Sequence, residues 1–309
     1  MWRVRSVASL ERLNGFRAWI GARIKGQPEV LEALDAHFGR SELGLSEADF
    51  VLGGFLFVGP TGVGKTETTL LAAEYFLGPQ ATARLNMAEF KEARSVGELR
   101  ERLAQARRAG KRSYLFDEIE KAHWEVLDVL LQILDKGAEI AAPDGTPLSF
   151  TDSYVVMTSN LGAREAMRSR TRNYTSFSNT IREYVVRYLR PELIGRLAKL
   201  NGANSGLLFF RRLEEPEQRE LAGYHLALTL ARMRDLGHSL SVSPGALEFL
   251  IRQGFSEDYG ARRLLGLINN SIEGAVSAAI RKSEPTSGIL FERADGRGLI
   301  IRVLTTSTA

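Results

Sequence analysis

A chain of 309 residues, 44% hydrophobic and 25% charged, is long enough for one large or two ordinary domains, and its composition excludes a disordered tail or a short stapled scaffold. Cysteine is absent, which removes disulfides, thiolate nucleophiles, iron–sulfur ligation and cysteine-based zinc sites and fits a reducing, cytoplasmic setting. The net charge of +4 permits an acidic or nucleic-acid partner without demanding one. In chain order, the arginine-rich opening, Met1 to Arg23, places Val7, Leu10, Leu13, Phe16 and Ile20 on one helical face, and its periodicity predicts an amphipathic first helix. Gly54 to Val58 reads as a buried strand and Thr66 to Leu77 as the helix after it, joined by a glycine-rich turn. Further short strands are expected at Arg84 to Met87, Ser113 to Phe116, Tyr154 to Thr158 and Leu207 to Phe210, separated by helical stretches. That alternation implies a mainly parallel sheet covered on both faces, an α/β fold.

From about Glu214 the pattern turns helical, with Leu221, Leu226, Leu228 and Leu230 in one amphipathic run and Leu247, Leu250 and Ile251 in another. It ends in a hairpin over Ile289 to Val303, turning at Asp295-Gly296. The expectation is a nucleotide-binding large domain over 1–212 and a smaller helical lid domain over 213–309. The apolar runs Phe55 to Val58 and Leu207 to Phe210 fall far short of the roughly 18 to 20 residues of a membrane span, so no membrane is expected. The histidines His37, His123, His225 and His238 show no paired zinc-binding spacing.

Gly59-Pro60-Thr61-Gly62-Val63-Gly64-Lys65-Thr66 fits the P-loop pattern and sits between a buried strand and a helix, as its mechanism requires. Glycines let consecutive backbone N–H groups curl around phosphates at a helix N-terminus, Lys65 adds a point charge, and the Thr66 hydroxyl can ligate magnesium; Glu67 follows in the same turn. The second acidic site is Ser113-Tyr114-Leu115-Phe116-Asp117-Glu118, an apolar strand ending in two carboxylates at the end where ligands bind such sheets. Asp117 would hold Mg2+, and Glu118 would orient and polarise the attacking water. No Asn-Lys-x-Asp guanine-reading motif is present, so ATP is preferred to GTP.

With these motifs in hand, the chain resembles the second ATPase module of the Clp-type AAA+ chaperones. The resemblance rests on Gly59 to Thr66, Phe116 to His123, and Met157-Thr158-Ser159-Asn160-Leu161-Gly162. It is extended by Ile24-Lys25-Gly26-Gln27, Leu189-Arg190-Pro191-Glu192-Leu193-Ile194-Gly195-Arg196 and Tyr259-Gly260-Ala261-Arg262. It implies that Ile24 and Lys25 lie by the adenine and that Asn160 is a polar sensor of the γ-phosphate. Arg262 would reach the same phosphate from the small domain, and Arg196 would be an arginine finger serving a neighbouring subunit in a hexameric ring.

Where the family presents an aromatic pore loop, Lys91 to Ser113 carries no Phe, Tyr or Trp. Val96, Leu99, Leu103 and Ala106 fall there at helical spacing among Arg94, Arg100, Arg102, Arg107, Arg108, Lys111 and Arg112. Lys136 to Phe150, with Pro143 to Pro147 at its turn, matches the place of a second pore loop. No Ile-Gly-Phe or Ile-Gly-Leu tripeptide lies between Asn160 and Arg196, so no peptidase partner is expected, and 309 residues leave no room for an amino-terminal substrate domain, a first ATPase module or a coiled-coil insertion. The expectation is an ATP hydrolase that remodels a specific protein partner without processive threading. Two alternatives stand beside it: a nucleic-acid-associated ATPase whose arginine-rich helix faces a phosphate backbone, and an ATP-controlled assembly scaffold or switch. Arg164, Arg168, Arg170 and Arg172, followed by Tyr174 and Phe177, form a further basic patch, read first as a solvated loop and otherwise as a contact for an acidic protein or nucleic acid.

Overall fold

A computed structural model describes residues 7–168, 173–201, 206–256 and 259–302, with side chains omitted at 7–10 and 168. The chain divides into two compact units. The first comprises Met1–Pro60 with Gly64–Arg211, and the second comprises Thr61–Val63 with Arg212–Ala309.

The first unit opens with α1 (Val7–Gly21) and α2 (Pro28–Glu42). Alternating strands and helices follow: β1 (Gly53–Val58), α3 (Lys65–Leu77), β2 (Thr82–Asn86), α4 (Ser95–Arg108), β3 (Ser113–Asp117) and α5 (Trp124–Leu134). A small hairpin, β4 (Glu139–Ala141) with β5 (Pro147–Ser149), leads to β6 (Tyr154–Ser159), α6 (Ala163–Arg168), α7 (Tyr174–Tyr188), α8 (Pro191–Asn201) and β7 (Leu207–Phe209). The main sheet is parallel throughout, in the order β2-β3-β6-β1-β7. β1 and β6 are buried along their whole length, as strands covered on both faces must be, and so carry continuous apolar runs instead of an alternation. Leu56, Val58, Phe116, Val155 and Met157 join Leu99 and Leu103 of α4 and Val126, Leu130 and Ile133 of α5 in one core. On the other side Phe16 of α1 packs against Phe38, Tyr75 and Phe76, which seats the first helix on α2 and α3; of its predicted apolar face Phe16 and Ile20 are buried, Leu13 is half-buried, and Val7 and Leu10 lie outside the described side chains.

The predicted strands are present, shifted by a residue or two at their ends. The loop expected over Lys136 to Phe150 contains the β4–β5 hairpin, in which Ile140 and Leu148 turn inward opposite each other. Gly145, at φ 81°, closes its turn while the Asp144 carboxylate accepts from Thr146 N–H at 2.9 Å.

The second unit contains α9 (Glu215–Asp235), β8 (Leu240–Val242), α10 (Pro244–Gly254), α11 (Leu264–Arg281), β9 (Gly288–Glu292) and β10 (Leu299–Arg302). The last two strands pair antiparallel around Asp295-Gly296 as expected, and β8 adds to β9 in parallel. The face of α9 differs from the leucine pattern. Ala222, Leu226, Thr229 and Met233 are buried while Leu228 is 52% exposed, because Leu228 lies about 200° around the helix from Leu226 and only the 222–226–229–233 spacing holds one face. Among the described residues no helix is long and apolar enough to cross a membrane.

Candidate functional site

The parallel order brings the C-terminal ends of β1, β6 and β3 side by side, so the residues following each strand meet although they lie far apart in sequence. β1 runs into Gly59. A Cβ there would sit 2.2 Å from the carbonyl oxygen of Phe210, so the glycine permits the close approach of the chain leaving β7. Gly62 and Gly64 take φ of 74° and 100°, left-handed values that direct the loop into α3. No side chain caps α3 at Gly64, and a helix N-terminus that follows a glycine-rich loop suits a phosphate.

Lys65 is buried. Its ammonium donates to Gly59 O and Pro60 O, both at 2.6 Å, and to Asn160 Oδ1 at 2.9 Å. Asn160 follows β6, the strand between β1 and β3, and its Nδ2 lies 3.4 Å from Glu118 Oε1. The backbone N–H of Asn160 donates to Glu120 Oε1 at 3.1 Å, which fixes the residue's position. Glu118 stands in left-handed backbone conformation at φ 62°, an uncommon one for a residue with a side chain. Thr158 steadies it: its hydroxyl oxygen accepts from Glu118 N–H at 3.0 Å and donates to Asp117 Oδ1. The other oxygen of Asp117 accepts from Arg84, and Glu118 Oε2 accepts from Lys121 at 2.7 Å.

Thr66 is half-buried in the first turn of α3. Glu67 beside it has its carboxyl held above the usual range by partial desolvation and then by the Glu74 carboxylate two turns on. Ile24 is buried, with its Cδ1 3.7 Å from the place a Cβ on Gly64 would take, and the Lys25 ammonium donates to Gly21 O at 3.1 Å. Gln27 holds Arg211 through both backbone groups, at 2.8 and 3.0 Å, securing the chain beyond β7.

Residues 51–200 match the family profile described as AAA domain (Cdc48 subfamily), and residues 213–289 match the C-terminal, D2-small domain of ClpB protein. The chain belongs to the Clp-type AAA+ ATPases. It is 32% identical to the chaperone protein ClpC3, chloroplastic, of Oryza sativa subsp. japonica over 96% of this chain and 34% of the relative. It is 33% identical to the chaperone protein ClpB of Vibrio vulnificus over 88% of this chain and 33% of the relative. A solved S. cerevisiae Hsp104–ADP complex superposes with a TM-score of 0.83 at 26% identity, over 94% of this chain and 52% of that one. The AAA+ chain thus spans about a third of the curated relatives it matches.

Arg196, on α8, is not among the side chains gathered around Lys65. It donates to Leu131 O at the end of α5 and pairs with Asp135 at 2.9 Å. In the second unit, Arg262 is exposed in the turn that precedes α11, with its N–H on Tyr259 O at 3.2 Å. Of the basic patch after Gly162, Arg168, Arg170 and Arg172 lie outside the described side chains.

The arginines of the α4 region are largely neutralised. Arg94 pairs with Glu92, Arg102 with Glu89 and Glu98, Arg107 and Arg112 with Asp152, and Arg108 with Asp144. Arg100 donates to Ala141 O and Gln132, and Lys111 to Gln80 O. These side chains tie α4 to the β4–β5 hairpin and to the base of β6. Sequence reasoning did not single out Arg84, Glu120 or Lys121 as site residues. Lys121 is three residues from Glu118 and was open to inspection, whereas Arg84 needs the β2–β3 register to be found.

Proposed function

We propose that the chain binds and hydrolyses Mg2+–ATP, and that ring assembly, by resemblance a hexamer, couples this to the remodelling of a specific protein partner in a reducing, cytoplasmic setting. The observation that carries the reading is the hydrogen-bonded series Lys65–Asn160–Glu118, which links the phosphate-binding lysine to the acid that would act on water. Lys65 exchanges its two carbonyls and Asn160 for phosphate oxygens when nucleotide enters the loop. Asn160 then has its amide free to report the γ-phosphate, and Glu118 orients the water that attacks γ-phosphorus as the bond to the β-phosphate oxygen breaks. Thr66 and Asp117 would hold magnesium, and the fit is chemical: both offer hard oxygen atoms. The ion would supply charge neutralisation at the transferring phosphoryl group.

The shape of the β2–α4 connection supports remodelling without processive threading. Residues 90–94 join the turn after β2 directly to α4, and their one aromatic side chain, Phe90, is fully buried beneath the Arg102 guanidinium. An aromatic in that position cannot wedge against a passing polypeptide. The carboxylate pairing of the α4 cations favours a protein partner over a nucleic-acid backbone, because little unpaired positive charge is left to release counterions. No peptidase partner is proposed.

Arg196 would act on the nucleotide of an adjoining subunit and Arg262 on that of its own. An arginine supplied in trans is worth about 10³ to 10⁵ in rate. The experiment is subunit mixing. Glu118→Gln should bind ATP and stop turnover, Arg196→Ala should bind ATP and turn over slowly, and mixed rings should recover part of the activity through interfaces with one intact site. No recovery would overturn the action of Arg196 in trans, and normal hydrolysis by Glu118→Gln would overturn the role of Glu118.

A further inference from the structure

β2 and β3 run parallel with Asn86 opposite Asp117 and Arg84 opposite Leu115. Side chains alternate along a strand, so Arg84, Asn86 and Asp117 share one face, with Arg84 two residues behind. Its long side chain crosses that diagonal. Nη2 lies 2.5 Å and Nε 3.2 Å from Asp117 Oδ2, while Oδ1 is taken by the Thr158 hydroxyl. Asp117 is 14% exposed and Arg84 is 54% exposed, so the carboxylate is the fixed partner and the arginine the one free to swing into solvent.

Asp117 and Glu118 are adjacent carboxylates at one strand end, and each has a cation of the same chain on it: Arg84 on the first and Lys121 on the second. Two neighbouring anions repel unless compensated, and a divalent ion on Asp117 would make one of these compensations redundant. A guanidinium paired with Asp117 and a dication held by the same carboxylate would repel each other.

We propose that Arg84 is an intramolecular counter-ion that holds Asp117 in the metal-free chain and competes with magnesium for it, thereby setting the magnesium concentration at which the site loads. This rests on the reading of Asp117 as the magnesium carboxylate. Arg84 is a positioning residue, acting on the metal through Asp117.

The test is a binding measurement on the full chain: fluorescent ADP titrated in EDTA, then across magnesium concentrations, for the parent chain, Arg84→Gln, Arg84→Lys and Asp117→Asn. Arg84→Gln should leave affinity in EDTA unaltered and lower the half-saturating magnesium by about three- to tenfold, the range for a charge-assisted pair with one exposed partner. Arg84→Lys, which keeps the charge but not the paired donors, should fall between. If Asp117→Asn raises the magnesium requirement while Arg84→Gln leaves it unmoved or raises it as well, the counter-ion role is overturned and the Asp117 reading stands. If Asp117→Asn titrates like the parent, the Asp117 reading fails and the proposal falls with it.

Discussion

His37 should make the first unit sensitive to mild acid. It lies on the buried face of α2, its ring edge-on to Phe55 at 4.6 Å, and its Nε2 is 3.0 Å from the carbonyl oxygen of Leu52, one residue before β1. A carbonyl only accepts, so Nε2 carries the hydrogen, and burial, not this bond, favours the neutral ring. Gly53 is required beside it, since a Cβ there would fall 2.3 Å from Nε2. Burial lowers the His37 pKa to about 4; the Leu52 hydrogen bond works in the opposite direction and the Arg40 charge adds a smaller lowering. Below pH 6.5 the unfolded chain takes up a proton that the folded chain refuses, so stability falls as pH drops from about 6.5 to about 4 and is fully present above that window. At 1.36 kcal/mol per unit the whole shift is worth about 3 kcal/mol, and about 2 kcal/mol is gone at pH 5.

The assay is urea unfolding read by the fluorescence of Trp19 and Trp124, both in the first unit, at pH 7 and pH 5. His37→Gln keeps an N–H donor for Leu52 O and removes the titration. Whatever it costs at pH 7, the parent should lose about 2 kcal/mol more than the variant between the two pH values. Equal losses, within about 0.5 kcal/mol, would refute the assignment of a neutral buried imidazole.

Other consequences follow from the site. Lys65→Ala should weaken fluorescent-nucleotide binding by about tenfold or more, since an ammonium–phosphate contact is charge-assisted, and unaltered affinity would remove the P-loop assignment. Gly59→Ala should destabilise the first unit by about 2 to 4 kcal/mol in urea, because the new methyl meets backbone and not a movable side chain; a variant as stable as the parent would mean the β1–β7 approach is not tight. Replacing Arg100, Arg102 and Arg108 together by Ala should leave the binding of single-stranded DNA, and its slope against salt, as it is in the parent. A steep parental slope lost in the triple variant would restore the nucleic-acid reading of α4.

The glycine loop, the acid pair and the amphipathic pattern of α4 were legible because each is written in consecutive residues or at helical spacing. Phosphate cradles and helix faces are local devices, fixed by backbone conformation and by the 3.6-residue period. Leu228 misled because a run of leucines does not say which of them shares a face with the core, and the β4–β5 hairpin was hidden because its strands are three residues each. Arg84 on Asp117, Asn160 between Lys65 and Glu118, and Arg196 on Asp135 depend on which strands and helices lie next to one another. The amino-acid order alone thus determined that an α/β unit with a glycine loop is followed by a helical one, and where the charged residues of the loop and of the acidic strand end lie in the chain. Only the tertiary structure decided how those charges are satisfied without a ligand, because ion pairs across neighbouring strands are set by strand order and register, and neither is a property of any single segment.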